Sequence, residues 1–287
     1  MAFEAEQYRE SPWRTPENRA ALVDCADFLL PDAARVFAFL LPHGHVWVPY
    51  PVSHAVSRLR AERLARSTKP FIARGSRAPR CEGCRVIESY CLCAWKPTVE
   101  AKSAVCLLMY DTEPLKPTNT GWLIADVIKD TAAFGWSRTD IDERLPALLN
   151  DPQWQPYIVF PGEFVAAERV VNEVKVETGK RPLFILLDAT WPEARKMFRK
   201  SPYLDQLPVL SLAPEQMSRY RLRRSKRDDH FCTAEVAALC LKLADDQRAA
   251  RVLDAYLDVF SAHYLGAKFQ LPIDPNDAPH DFLKAFI

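Results

Sequence analysis

The sequence predicts an α/β fold with a mostly parallel sheet and flanking helices. Three observations carry that expectation. From residue 99 onward, short apolar runs alternate with amphipathic stretches of helical period, the order a parallel sheet requires. The run Pro182–Leu187 is apolar throughout, as in a strand covered on both faces. The 287 residues, 48% hydrophobic and 26% charged, suffice for one large domain or two small ones with a sizeable core.

Along the chain, three regions differ in character. Residues 1–57 are interrupted by Pro12, Pro16, Pro31, Pro42, Pro49 and Pro51, which leaves room for two short helices, Glu17–Leu29 and Asp32–Leu40, the second capped by Asp32. This stretch reads as an N-terminal extension without an assigned function. In residues 58–98, Arg58, Arg60, Arg63, Arg66, Lys69, Arg74, Arg77 and Arg80 face one acid, Glu62, before a cysteine-rich segment begins. Val56–Ser67 can form a basic helix, and the rest of this block an extended arm. Residues 99–287 hold the alternating elements. Ser103–Tyr110 is a strand, and Thr120–Lys129 a helix with Leu123, Ile124, Val127 and Ile128 on one face. Pro156–Phe160 is a strand, followed by a helix over Phe164–Glu177 that ends at Gly179. After the strand Pro182–Leu187 comes a helix over Trp191–Lys200, with Thr190 as its cap and Pro192 in its first turn. Pro208–Leu212 is a fourth strand, and helices over Thr233–Ala244 and Arg248–Leu265 close the domain.

Composition excludes several functions. Lys plus Arg is 38 and Asp plus Glu 37, so any affinity for nucleic acid must come from uneven charge placement. Among the 8 glycines neither GxGxxG nor GxxxxGK[ST] can be written, which argues against a dinucleotide fold and a P-loop. No run of about 18 apolar residues and no basic-then-apolar leader is present, so a cytoplasmic chain without membrane contact is expected.

Ligands of open α/β sheets bind beyond the carboxyl ends of the strands. The segments after the expected strands are Asp111–Gly121, Pro161-Gly162-Glu163, Asp188-Ala189-Thr190-Trp191, and Ser211 followed later by Tyr220-Arg221-Leu222-Arg223. All are polar and rich in donors. Turn formation alone explains much of this, since Thr, Asn, Gly and Asp are turn residues. An indole beside a carboxylate is not something a turn needs.

Cys81-x2-Cys84-x6-Cys91-x-Cys93 supplies four thiolates, enough for one tetrahedral zinc ion. The alternatives are a redox CxxC, which should open a helix after a strand, and disulfides, which fit a cytosolic chain poorly. Cys25, Cys106, Cys232 and Cys240 read as small buried hydrophobes. Basic clusters at Arg58–Arg80, at Arg195, Lys196, Arg199 and Lys200, and at Arg219, Arg221, Arg223, Arg224, Lys226 and Arg227 point to a polyanionic partner, bound through counterion release.

These residues resemble the DTW-domain family. Asp188-Ala189-Thr190-Trp191 and Pro192–Leu204 match its signature, with Ala189 as the small residue between Asp and Thr. Lys116–Gly121, Phe160–Glu163, Tyr220–Arg223, Cys232–Glu235 and the four-cysteine module match the accompanying segments. The likeness runs from about Leu59 to Leu265 and is close to the bacterial tRNA-uridine aminocarboxypropyltransferases. Residues 1–57, with His43, His45 and His54, lie outside it, and no catalytic histidine is assigned.

The resemblance implies a SPOUT-like domain with a C-terminal trefoil knot that binds S-adenosylmethionine. It implies transfer of the 3-amino-3-carboxypropyl group of that donor to N3 of a tRNA uridine, in the variable loop among the bacterial relatives. N3 must lose its proton, so a carboxylate within hydrogen-bond reach is needed, with Asp188 the first candidate and Glu163 the second. Asp188 has an alternative role as cap of the following helix. Trp191 is expected against the adenine or the sulfonium. Thr118, Asn119, Thr120, Pro161, Gly162 and Thr233 are expected around the donor, and Arg63, Arg74, Arg80, Arg221 and Arg223 on the RNA. Zinc is expected on Cys81, Cys84, Cys91 and Cys93, tRNA as the partner, and a monomer as the working form. The competing readings are an RNA methyltransferase with the same donor site and a non-catalytic zinc-stabilised RNA-binding module.

Overall fold

The structure, a computed structural model, describes residues 54–72, 78–212 and 232–287, together with the backbone of Phe39–Leu40 and Val46–Trp47. Those two dipeptides pair antiparallel within a first unit, Met1–Pro51. The helices expected over Glu17–Leu29 and Asp32–Leu40 otherwise lie outside the described residues. The second unit, Val52–Ile287, holds everything else.

That unit contains the helices α1 (Ala55–Ala65), α2 (Gly121–Val127), α3 (Arg144–Leu149), α4 (Trp191–Arg199), α5 (Thr233–Leu243), α6 (Gln247–Phe269) and α7 (Ala278–Leu283). Its strands are β1 (Ala104–Met109), β2 (Thr131–Gly135), β3 (Trp154–Val159), β4 (Val170–Val171), β5 (Arg181–Asp188) and β6 (Val209–Leu210). The six form one sheet in the order β2-β1-β5-β3-β6-β4, and every pair is parallel. The α/β class and the parallel sheet are those expected from the sequence.

Side-chain alternation sorts the strands between two cores. Val105, Leu107 and Met109 of β1 join Phe184 and Leu186 of β5 under α2, α5 and α6. Ala104, Cys106 and Leu108 join Leu183 and Ile185 on the other face, under α3 and α4. The cysteine-rich segment packs into the first of these cores, where Val86 and Leu92 are fully buried.

One expected element is absent. The segment 164–177 is not a helix but two 3-10 turns, Gly162–Phe164 and Ala167–Arg169, leading into the edge strand β4. Val170, Val171, Val174 and Val176 are β-branched and resist helix formation. The chain is also held extended: Gln155 Nε2 donates to the Lys175 carbonyl at 2.6 Å, and the Glu177 N–H donates to Gln155 Oε1 at 2.7 Å. Gly179 adopts a φ of +85°, but in the turn before β5 rather than at a helix end. Strand β2 and helices α3 and α7 are short and went unread in the sequence.

His54 caps α1, its Nδ1 accepting the Ser57 N–H at 3.1 Å, with its ring edge-on to Trp122 at 4.4 Å. Burial, with Lys96, Arg85 and Arg58 nearby, pushes its pKa down to about 3. The unfolded chain keeps the ordinary value near 6.5 and therefore takes up a proton that the folded chain refuses, so this residue's contribution to stability is lost as pH falls from about 6.5 towards 3. Urea unfolding is expected to show wild type losing stability more steeply over that window than His54→Asn, which keeps a cap acceptor and cannot titrate.

Candidate functional site

Strand β5 is central, flanked by β1 and β3, and Asp188 is its last residue, in register with Met109 of β1. Counting from Phe184 and Leu186 by the strand period of two, Asp188 faces α2 and α5. Its side chain is fully buried (0% exposed). One carboxylate oxygen accepts from Asn119 Nδ2 at 2.6 Å and the other from the Thr233 hydroxyl at 2.7 Å. Asn119 Oδ1 in turn accepts the Trp122 N–H at 3.1 Å, which fixes the amide at both ends. Thr120 Oγ1 accepts the Ala234 N–H at 3.3 Å. The loop after β1, the end of β5 and the start of α5 are thereby joined around one carboxylate. Gly121 is required by this closeness, since a Cβ there would stand 2.8 Å from Asp188 Oδ2 and 3.2 Å from Asn119 Oδ1.

Asp188 does not cap α4. Thr190 does, and Glu193 accepts the Thr190 N–H at 2.9 Å in a reciprocal capping box. Of the two roles open to Asp188 in the sequence, the helix cap is thus already filled by another residue.

A second group forms beside the first. The Gly162 N–H donates to Ser211 Oγ at 3.0 Å and links the loop after β3 to the end of β6. Pro161 and Glu163 in that loop are exposed, and Thr118 is half-buried. The half-buried Trp191 stacks on Phe160 with ring centres 5.5 Å apart and tilts against Phe164 at 5.4 Å. Phe160 and Trp191 belong to the core under α4, so the two groups straddle the end of β5 from opposite faces of the sheet. Neighbouring strands stand ~4.8 Å apart, so the ends of β1, β5 and β3 span about 10 Å. The chain leaves the described residues at Leu212, beside this group, and re-enters at Cys232, beside Asp188. Tyr220–Arg223, including Arg221 and Arg223, and also Arg74 lie outside the described residues.

The four cysteines of the basic region come together, with all four sulfurs within 4.8 Å of one another. Cys81 lies 3.5 Å from both Cys93 and Cys91, and Cys84 lies 3.8 Å from Cys91. A disulfide would need about 2.05 Å. Four sulfurs ~2.3 Å from a tetrahedral ion stand about 3.8 Å apart, which these distances fit. Gly83 leaves room for the cluster, since a Cβ there would lie 2.9 Å from the Cys93 sulfur.

Arg85, which the sequence did not single out, connects the two sites. It is only 4% exposed, and its backbone takes a φ of +62°. The guanidinium donates to the carbonyls of Pro114 at 3.3 Å, Lys116 at 2.6 Å and Asn119 at 3.1 Å. It also lies 4.1 Å over the Trp122 ring, whose Nε1 donates to the Gly83 carbonyl at 3.1 Å. Three loop carbonyls are thus gathered by one cation next to the cysteine cluster. Two other arginines expected on RNA also have partners here. Arg63 forms a two-pronged pair with Asp111 at 2.7 and 2.8 Å, and Arg80 donates to the Arg85 carbonyl at 3.1 Å.

The DTW domain profile matches residues 78–265, a range that takes in the cysteine cluster, the loop gathered by Arg85, both groups at the sheet edge and α5. The chain belongs to the DTW domain family. It is similar to tRNA-uridine aminocarboxypropyltransferase 2 of Drosophila melanogaster, at 24% identity over 185 residues, covering 61% of this chain and 70% of that relative. No solved structure matches it.

Two outcomes are expected for this DTW protein. Metal removal with a chelator and a thiol reagent should lower the thermal midpoint of the whole Val52–Ile287 unit in a single transition, because Val86 and Leu92 share its core; calorimetry reads this directly. Gly121→Ala should cost roughly 1–3 kcal/mol in denaturant unfolding, since the new methyl group overpacks against the fixed Asp188–Asn119 pair.

Proposed function

We propose that this DTW protein transfers the 3-amino-3-carboxypropyl group of S-adenosylmethionine to N3 of a tRNA uridine. The family, the named activity of the fly relative and the polar loops at the carboxyl edge of the sheet support the reading. The observation that carries it is the fully buried Asp188, whose oxygens draw Asn119 and Thr233 from separate segments to the end of the central strand. S-adenosylmethionine supplies a sulfonium that is already activated: its bond to the aminocarboxypropyl carbon breaks with the electron pair staying on sulfur, methylthioadenosine leaves, and N3 forms the new bond.

The residues divide the remaining work. Asp188 is shut away from solvent with both oxygens engaged, so we assign it the role of a positioning residue that holds Asn119 and, through it, the loop 116–121. Glu163 is exposed on the loop after β3 and can meet a large substrate, so we assign it the proton of N3. The half-buried Thr118 can meet the donor's amino-acid portion, with Pro161 and Gly162 at its borders, while the sealed Asn119, Thr120 and Thr233 hold in place the loop that presents it. The partly open Trp191 ring can face the adenine or the sulfonium, an attraction of about 0.5–2 kcal/mol for a cation over a ring. Cys81, Cys84, Cys91 and Cys93 hold a structural zinc ion, which stabilises the segment carrying Arg85. We further place the protein in the cytoplasm as a monomer, its uridine in the variable loop and its C-terminal path in a SPOUT-like knot. No helix among the described residues is long and apolar enough to cross a membrane. Arg221 and Arg223, with Arg63, Arg74 and Arg80, remain proposed RNA contacts.

Nucleoside mass spectrometry of tRNA incubated with the protein and S-adenosylmethionine tests the reading. An aminocarboxypropyl gain on uridine with release of methylthioadenosine is the expected result; a methyl gain, or no gain, would overturn it. Glu163→Gln is expected to lower kcat by about 10²–10⁴-fold with little change in the donor KM, as for loss of a general base. Asp188→Asn should instead raise the donor KM, because one oxygen that accepts a hydrogen bond becomes a donor facing Asn119 or Thr233.

A further inference from the structure

Helix α4 buries Ala194 and Met197 and turns Arg195, Lys196, Arg199 and Lys200 outward. Its one acid, Glu193, is occupied in the cap with Thr190. Among the described residues none of the four cations is paired with a carboxylate. The helix dipole welcomes cations in the last turn, but the like-charged pairs four residues apart, Arg195 with Arg199 and Lys196 with Lys200, offset that gain. Helix stability therefore does not account for the cluster.

Aromatic rings flank it on both sides. The Arg195 guanidinium lies 4.7 Å over the ring of Phe164, which is 37% exposed. On the other side the Lys196 ammonium lies 5.9 Å from the centre of Tyr110 and 5.6 Å from that of Trp136. Those two rings are stacked 5.8 Å apart at 18°, and both are only partly buried. Trp136 is fixed in place by donating its Nε1–H to Ser201 Oγ at 2.9 Å. Tyr110 follows β1, Trp136 follows β2 and Phe164 follows β3, so rings and cations share the carboxyl edge of the sheet with Asp188. A cation over a ring face keeps N–H groups to offer to phosphate, while ring faces and edges accept unstacked bases. This combination suits single-stranded nucleic acid, whereas a duplex presents no free base face.

We propose that the outward face of α4, with Phe164 on one flank and the Tyr110–Trp136 pair on the other, docks the single-stranded loop nucleotides around the target uridine. The identity of that RNA rests on the proposed function; the surface and its preference for unpaired nucleotides do not. Among the described residues, the α4 cations have no carboxylate partner, whereas Arg63 pairs with Asp111.

The test uses the full chain and the variant R195A/K196A/R199A/K200A, all four positions being exposed, with the thermal midpoint as a check on folding. Binding of a tRNA transcript, a single-stranded oligouridylate and an RNA duplex of equal length is measured across a range of salt. Wild type is expected to prefer the single strand. The variant is expected to bind both tRNA and oligouridylate at least about tenfold more weakly, and its salt slope should fall by about 0.7 for each phosphate it no longer neutralises. Its affinity for S-adenosylmethionine, read by calorimetry, should be unchanged. Trp136→Leu should narrow the preference for single strand over duplex. A variant with wild-type tRNA affinity and salt slope, or a wild type that prefers the duplex, would overturn the proposal. If the oligonucleotide results hold while wild type adds no aminocarboxypropyl group to tRNA, the proposed function fails and the docking surface stands.

Discussion

A carboxylate cut off from water has to have its charge met by donors, or folding pays a penalty of several kcal/mol. Asp188 is in that position at the end of the central strand, and the arrangement around it follows from the need. Asn119 and Thr233 must each arrive with a donor, and they come from segments 69 and 45 residues distant in the chain. Gly121 has to lack a side chain, and Thr120 ties the same loop to the first turn of α5. The buried charge therefore acts as a positioning constraint on a loop that nothing in its own sequence would hold in one conformation.

The opposite charge is handled in the same way a few residues away. Arg85 is buried too, and backbone carbonyls of the 114–119 stretch accept from its two terminal guanidinium nitrogens. Asn119 serves both systems: its amide donates to Asp188 and its carbonyl accepts from Arg85. Arg85 follows Cys84 directly in the chain, so Asn119 joins the segment of the cysteine cluster to Asp188. Cross-links of this kind explain why a cysteine cluster that looks peripheral in the sequence is built into the core beneath α2 and α6.

Much of this was legible in the sequence, for identifiable reasons. β1, β3 and β5 are apolar runs with no competing pattern, and α4 announces itself with Thr190, Pro192 and Glu193. The four cysteines needed only their spacing. The face towards which Asp188 points was also readable, since it continues the alternation Phe184, Leu186, Asp188; Trp191 lies three residues on, past the strand end, where that alternation no longer applies, and it packs on Phe160. The stretch 164–177 has an apolar spacing compatible with a helix, but Gln155 and Tyr157 hold its later residues extended from another strand. Arg85 carried no signal at all. An arginine among arginines reads as surface charge, and only tertiary partners such as the Pro114, Lys116 and Asn119 carbonyls make it a buried one. Arg63 also pairs beyond its own neighbourhood, with Asp111 48 positions away, which spacing alone does not reveal.

The division of polar groups across the end of β5 also bears on how the proposed chemistry would be accelerated. A sulfonium is a leaving group that needs no further activation, and N3 of uridine needs only the removal of a proton, so acid–base strength is not the scarce resource. Alignment is, because one donor carbon of the three on sulfur must face the nucleophile. A site limited by alignment should place its buried polar groups where they fix a loop and its reactive contacts where a large substrate can enter. That is the distribution found here. On the α5 face, Asp188, Asn119, Thr233 and Arg85 are sealed and mutually hydrogen-bonded. On the α4 side, Glu163 is open to solvent and Trp191 partly so, with the exposed cations of α4 beside them. A fold that had put its reacting carboxylate on the sealed face would have to open that network at every turnover. The proposed division, with the buried Asp188 holding and the exposed Glu163 reacting, avoids that cost.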